Sequence, residues 1–229
     1  MIDSAQVAEL LRPAGRSPRR AIVAVTMLVA GATAAVLALV LSHDGAPQGT
    51  AVVSSRGGLD GQATWAAGVR PAPAIDTLRD QSGHLFSLAS LHGRTVAVVF
   101  FDSHCNQECP LEGRALAQAE TRLPASERPV LVAVSVNPAD TPASARHAAR
   151  AWGLAAAAPW HWLMGARASL AKVWAAYHIY VGRSEHGDIP HTEAVILIDR
   201  RGDERSAYLY PFASRFVTHD LAVLAGRRA

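Results

Sequence analysis

The 229-residue sequence has few cysteines, few aromatic residues and almost no excess of charge. Lys and Arg number 22 against 19 Asp and Glu, and residues 1–20 alone carry four arginines against two acidic residues. The rest of the chain is therefore close to neutral. A nucleic-acid-binding surface needs clustered basic side chains that displace the counterions of the phosphates. We exclude a nucleic-acid-binding protein on these grounds.

The sequence also lacks the long polar tracts and internal repeats that typify disordered or repetitive proteins. Hydrophobic residues make up 50% of the chain and charged residues 18%, which is enough apolar surface to bury a core. The length suits one ordinary domain with an additional segment.

One long apolar run stands near the start of the chain. Residues 21–42 contain no ionisable side chain, and as a helix they would extend about 33 Å, enough to cross the hydrocarbon core of a bilayer. The arginines in residues 1–20 predict a cytoplasmic tail there and an extracytoplasmic location for everything after residue 42. A cleaved signal peptide is the alternative, but its apolar region is normally shorter. We expect an uncleaved single transmembrane helix in the cell membrane.

The segment after the apolar run differs from the rest of the chain in composition. Residues 43–70 are rich in Gly, Ala, Ser and Thr without clear periodicity, which predicts a flexible linker. Residues 71–229 are then expected to form the folded domain.

Within residues 71–229, buried strands alternate with helical segments. Continuous β-branched and aromatic runs predict strands at 95–101, 130–136 and 193–199. Proline near the start and helix-forming residues afterwards predict helices at 110–120 and 141–153. A small hairpin is expected before the first buried strand, with its turn at Ser82-Gly83. This order predicts a layered α/β domain with a mixed central sheet.

The two cysteines, Cys105 and Cys109, lie where the first buried strand passes into a helix. Two cysteines four residues apart cannot form a disulfide framework, so they indicate a site. At positions i and i+4 of a helix, both sulfurs would lie on the same face. At a helix N-terminus they would also favour the thiolate form, which metal binding and disulfide exchange both require. Cu(I) or Zn(II) would suit two thiolates but would need a further ligand from elsewhere in the chain.

The motif FFDSHCNQECP, a buried strand followed by Cys-x-x-x-Cys-Pro, resembles the SCO/SenC family of membrane-anchored copper chaperones for cytochrome c oxidase, which have a thioredoxin-like fold. Three further segments resemble the same family: AIDTLRDQSGHLFSLASLHGRTVAVVFF, SVNPADTPASARHAARAWG and HTEAVILIDRRG. The resemblance covers residues 71–229. It implies that Cys105, Cys109 and His191 are copper ligands.

Two thiolates and an imidazole suit three-coordinate Cu(I), with Cu(II) as a further possibility. The resemblance implies that copper passes to the copper-bearing subunit of the oxidase or to another copper protein. The chain departs from the family at Asn106-Gln107, where Pro-Asp is usual, and at Pro190, where Asp is common. Both changes leave the three ligands in place and could alter the groups that orient them.

An enzyme is the alternative function. In a thiol-disulfide oxidoreductase, Cys105 would attack a disulfide and Cys109 would resolve the mixed disulfide. Ile189-Pro190 is similar to the cis-proline of thioredoxin-like disulfide enzymes, although a plain turn also explains it. Further ligand candidates are His104, His186, Asp102, Glu108 and Met164, for which solvated loop positions or, for Met164, core packing are the favoured interpretations.

Overall fold

The computed structural model describes residues 58–184 and 188–226. The predicted cytoplasmic tail, the predicted transmembrane helix at 21–42 and most of the predicted linker lie outside these residues. Within the described ranges, every helix is too short or too polar to cross a bilayer.

A mixed sheet lies at the centre of the described residues, as predicted. Its six strands are β1 (Ala63–Thr64), β2 (Val96–Phe101), β3 (Val130–Ser135), β4 (Trp160–Leu163), β5 (Ala194–Ile198) and β6 (Glu204–Leu209). Their order across the sheet is β1-β6-β5-β2-β3-β4. Strands β2, β3 and β4 are parallel, whereas β5 runs antiparallel to β2 and to β6, and β1 runs antiparallel to β6.

Five helices accompany the sheet in the described residues: α1 (Glu108–Thr121), α2 (Pro142–Ala151), α3 (Leu154–Ala157), α4 (Arg167–Ala176) and α5 (Ser214–Leu224). A side-chain cap explains the sharp start of α2, because Thr141 accepts a hydrogen bond from the backbone N–H of Ser144 and so satisfies a free helical donor. These bounds agree with the predicted helices to within a few residues.

Strand β2 separates two hydrophobic cores. Its odd-numbered residues, such as Phe101, pack in one cluster with Trp152 and Trp162, and its even-numbered residues, such as Phe100, pack in another with Trp174. Because successive side chains of a strand point to opposite faces, a strand covered on both sides must be apolar throughout. This explains the uninterrupted hydrophobic run from which β2 is predicted.

The end of the predicted linker belongs to the folded domain. Leu59 is only 1% exposed, and Ala63–Thr64 pairs with the outer edge of β6. The backbone N–H groups of Asp60 and Gly61 donate to the buried Asp220 carboxylate. The domain therefore begins before residue 71, because contacts with distant residues order a segment that has no periodicity of its own.

The predicted opening hairpin is much shorter than expected. Its strands reduce to one bridge between Arg79 and Leu85, around a turn in which Gly83 has φ of 84°, a conformation that favours glycine. The following Leu88–Leu91 is a 3₁₀ helix. The backbone of Arg79 also pairs with Met164, so this turn is held by the end of β4.

Candidate metal centre

The two cysteines lie in different local structures. Strand β2 ends at Phe101, and α1 begins at Glu108 after Gln107, whose φ of −110° and ψ of −93° are not helical. Cys105 is therefore in the connecting loop, and Cys109 is in the first turn of α1. The sequence-based expectation that a single helix face carries both sulfurs is wrong. The loop itself turns Cys105 back towards Cys109.

The pKa values of the two cysteines are shifted in opposite directions. Both cysteines are free and buried, and the Cys109 thiol hydrogen-bonds the Cys105 sulfur, which lowers the pKa of Cys105 against the opposing effect of burial. The backbone N–H groups of Gln107 and Cys109 also donate to Cys105. The same hydrogen bond, together with burial, raises the pKa of Cys109. These opposite shifts favour a pair in which Cys105 is the thiolate and Cys109 keeps its proton.

His191 reaches the cysteines because β5 runs antiparallel to β2. The start of β5 therefore lies beside the end of β2, from which the cysteine loop departs. The Nε2 atom of His191 is 3.9 Å from the Cys109 sulfur and 3.1 Å from the carbonyl oxygen of Phe100. The Nδ1 atom is 2.8 Å from the carbonyl oxygen of Ile189. Both carbonyl oxygens can only accept, so either ring nitrogen can donate to its own carbonyl. The tautomer in which Nδ1 donates to Ile189 leaves Nε2, the atom nearer Cys109, free to bind a metal.

The Cys109–His191 separation fits a shared metal ion. Metal bonds of about 2.3 Å to sulfur and about 2.0 Å to nitrogen, at tetrahedral or trigonal angles, place the two ligand atoms about 3.5–3.7 Å apart. The observed 3.9 Å needs only a small adjustment. Metal binding through Nε2 would replace its contact with the Phe100 carbonyl oxygen.

The most compact group of potential ligands at this site differs from the predicted one. Ligand atoms of Cys109, His191 and Glu193 all lie within 4.8 Å of one another, and Cys105 is not in this set. The structure thus brings the predicted His191 to Cys109 and adds a carboxylate that the sequence analysis missed. An available signal was the two-residue spacing of His191 and Glu193, since alternate residues of an extended chain share a face.

Two glutamates close to the thiols have raised pKa values. Burial, followed by the charges of Glu108 and Cys105, raises the pKa of Glu193 to about 7. Glu112 has no exposed surface, and neither of its carboxyl oxygens has a hydrogen-bond partner among the described residues. Burial, then the charges of Glu193 and Cys105, raise its pKa well above the usual range. Glu112 was not predicted as a site residue, although it lies one helical turn after Cys109.

A hydrogen-bond network holds the loop that carries Cys105. The carboxylate of Asp102 accepts from the backbone N–H of His104 and from the side chain of Asn137. The Nδ1 atom of His104 lies 3.2 Å from the Asp140 carboxylate, which also accepts from the Ser103 hydroxyl. Asp102 and His104 therefore position the loop rather than join Cys109 and His191.

The cysteine loop is also tied to the segment that carries His191. The side-chain amide of Gln107 donates to the Asp188 carboxylate over 2.8 Å. The Ile189–Pro190 peptide bond is trans, since the cis bond of the described residues is at Tyr210–Pro211. Pro190 is therefore unlike the cis-proline of disulfide enzymes.

Two other ligand candidates lie away from the site or outside the described residues. Met164 packs against the core, as expected, and His186 lies outside the described residues.

Comparisons with known proteins show the family of the chain. A model of the SCO1/SenC family matches residues 77–226, whereas no curated protein sequence matches. ScoI of Bradyrhizobium japonicum with copper bound is 25% identical, with a TM-score of 0.54 over 67% of this chain and 99% of that one. Yeast Sco1 with copper bound is 18% identical, with a TM-score of 0.57 over 70% and 91% of the two chains.

A third structure is that of BsSco, described as a member of the Sco family of cytochrome c oxidase assembly proteins in which a disulfide switch was identified. It is 18% identical, with a TM-score of 0.58 over 69% of this chain and 95% of that one. These likenesses agree with a thioredoxin-like fold for the described domain. The family match covers well over half of the sequence, and the chain therefore belongs to the SCO1/SenC family.

Proposed function

We propose that this protein binds copper through Cys105, Cys109 and His191 and delivers it during cytochrome c oxidase assembly. The observation that carries this proposal is the 3.9 Å approach of the His191 Nε2 atom to the Cys109 sulfur. These residues are 82 positions apart in sequence, and their meeting supplies the imidazole that two thiolates lack as a Cu(I) site. Copper-bound structures of two members of the family support the choice of metal.

The residues suit capture and release of Cu(I) as cargo. The Cys105 thiolate is the first ligand available, and Cys109 then loses its proton to become the second. Cys109 is fully buried and Cys105 only 9% exposed, so bound copper would be shielded from water. Cys105 and His191 both lie in connecting segments rather than in a helix or strand. Small movements of these segments would let a recipient's ligands replace them one at a time.

The recipient and the location form part of the same proposal. We infer that the recipient is the copper-bearing subunit of cytochrome c oxidase or another copper protein, which agrees with the description of BsSco. Residues 21–42 would anchor the protein in the cell membrane with the copper-binding domain outside the cytoplasm. Protease added to spheroplasts should then degrade the domain, whereas protection of residues 58–226 would contradict this orientation.

The test is anaerobic titration of the reduced full-length protein in detergent with Cu(I), against a competing chelator. His191→Ala and Cys109→Ala should each weaken Cu(I) binding by at least about tenfold. His84→Ala is the matched control, because the His84 side chain is 81% exposed and lies in the turn between Arg79 and Leu85. Equal affinity in the wild type and both site variants would refute copper binding at this centre.

A second function, thiol-disulfide exchange, is favoured by the lowered pKa of Cys105. The Cys105 thiolate would attack a disulfide in a client protein and release one client thiolate. Cys109 would then displace the second client sulfur, so that the client is reduced to a dithiol and this protein is oxidised to a disulfide. His191→Ala should leave this exchange intact while impairing copper binding. Loss of both in that variant would argue against a separate redox function.

A further inference from the structure

The carboxylate of Glu193 is an additional potential ligand beside the proposed copper site. One of its oxygens lies within 4.8 Å of both the Cys109 sulfur and a His191 ring nitrogen. Three donors of different type, one sulfur, one nitrogen and one oxygen, therefore lie close enough together to bind one ion. Three protein ligands with an open fourth position form a common arrangement for divalent transition metals.

The backbone holds Glu193 and His191 on the same side of the chain. Thr192, between them, points the other way, since its hydroxyl accepts a hydrogen bond from the backbone N–H of Tyr180. The N–H of Thr192 donates to the carbonyl oxygen of Tyr180. The carbonyl oxygen of Glu193 accepts from the N–H of Tyr210. These bonds fix the backbone of residues 191–193 from both sides, so the positions from which the imidazole and the carboxylate project are set before any ion binds.

No basic side chain neutralises this carboxylate in the described part of the protein. No ion pair there involves Glu193, and its electrostatic neighbours, Glu108 and Cys105, are acidic. The buried carboxyl of Glu112 faces the same group and has no hydrogen-bond partner among the described residues. Unpaired acidic groups in a partly buried site are stabilised by a bound cation.

Charge and ligand type distinguish this set of donors from the proposed Cu(I) site. Two thiolates and a neutral imidazole suit a soft monovalent ion. When a metal ion displaces the proton of Cys109, the resulting thiolate and the Glu193 carboxylate together carry two negative charges, which balance a divalent ion. The carboxylate oxygen is a hard donor, of little use to Cu(I) but suited to a divalent first-row metal.

We propose that Cys109, His191 and Glu193 form a site for a divalent transition-metal ion that overlaps the Cu(I) site and does not require Cys105. This inference rests on the proposed function for the roles of Cys109 and His191. It assigns Glu193 as the residue that lets the centre accept a divalent metal ion as well as Cu(I). The divalent ion would bind through Glu193 in place of Cys105.

The test is a pair of titrations of the reduced full-length protein in detergent, under anaerobic conditions, with Co²⁺ alone and with Cu(I). Co²⁺ does not oxidise thiols, and its visible absorption reports coordination geometry and sulfur ligation. Glu193→Gln should weaken Co²⁺ binding by at least about tenfold and leave Cu(I) binding unchanged. Cys105→Ser should have the opposite effect, with Cu(I) binding weakened and the Co²⁺ spectrum and affinity retained.

Glu108→Gln is the matched control, because it removes one negative charge near Glu193 without removing a proposed ligand. Glu108→Gln should leave the affinities for Co²⁺ and for Cu(I) unchanged. A loss of Co²⁺ affinity as large as that in Glu193→Gln would overturn the inference that Glu193 is a ligand of the metal. Equal Co²⁺ affinity in the wild type and Glu193→Gln would overturn the inference as well. Retained Cu(I) binding shows that each Glu variant is folded. If the wild type binds Co²⁺ through Glu193 but does not bind Cu(I), the proposed function fails and the divalent site stands.

Discussion

Replacing Glu120 with Gln should stabilise the domain at neutral and alkaline pH. Glu120 lies on α1 with no exposed surface, and its carboxyl oxygens have no hydrogen-bond partner among the described residues. Burial raises its pKa from 4.5 to about 8, and the charge of Arg128 only partly opposes this effect. Folding therefore favours the protonated acid, which Gln resembles in size and in lacking charge.

The pH dependence follows from the direction of this shift. A carboxyl whose pKa rises on folding contributes no penalty below its unfolded pKa of 4.5, and it loses stability as the pH rises towards about 8. At about 1.36 kcal/mol for each pH unit, the penalty is below about 1 kcal/mol at pH 5 and about 3 kcal/mol at pH 7. Glu120→Gln removes this penalty, so the variant and the wild type should diverge as the pH rises.

Urea unfolding of a fragment spanning residues 58–229, followed by tryptophan fluorescence, measures this difference at pH 5, 6, 7 and 8. Asp76→Asn is the control, because Asp76 is an exposed carboxylate and should alter stability little at any of these pH values. Parallel stability curves for the wild type and Glu120→Gln across this range would refute the argument that a buried, unpaired carboxyl limits stability.

Three further predictions test other parts of the structure. Leu59→Ala should lower the free energy of unfolding, measured with urea, by about 2–5 kcal/mol. A change near zero would show that residues 58–70 do not contribute to the stability of the folded domain. Limited treatment with iodoacetamide at pH 7, followed by peptide mass spectrometry, should find Cys105 labelled before Cys109, because the thiolate reacts faster than the thiol. Equal labelling of the two cysteines would contradict a thiolate at Cys105 and a thiol at Cys109. Asp140→Ala should cost about 1–3 kcal/mol, because it removes the acceptor for the hydroxyls of Ser103 and Ser135. Unchanged thermal unfolding would exclude a structural role for these bonds.

Local patterns predicted the main elements of the sheet and helices well. Strand β2 and strand β5 are covered on both faces, so burial forces continuous apolar runs that are visible in the sequence. Helix α2 is bounded by a capping threonine and a nearby proline, which are equally local signals. Strand β1 has only two residues and pairs with β6 through tertiary contacts, so no periodicity could reveal it.

Local sequence signals also did not predict the exact first residue of α1. Pro110 suggested a helix from that residue, but the helix begins two residues earlier. Proline is tolerated anywhere in the first turn, where backbone N–H groups have no helical partner. The difference matters for the site, because it places Cys109 inside the helix, whereas Cys105 stays in the loop.

The amino-acid sequence alone determined that two thiols follow a buried strand at the start of a helix, because hydrophobic runs and helix signals depend on neighbouring residues. Only the tertiary structure decided which donors meet Cys109. His191 and Glu193 reach it because β5 lies antiparallel to β2, and strand pairing depends on packing across the whole sheet rather than on spacing along the chain. The same packing buries Glu112 and Glu120 with no hydrogen-bond partner for their carboxyl oxygens among the described residues, which no local pattern could indicate.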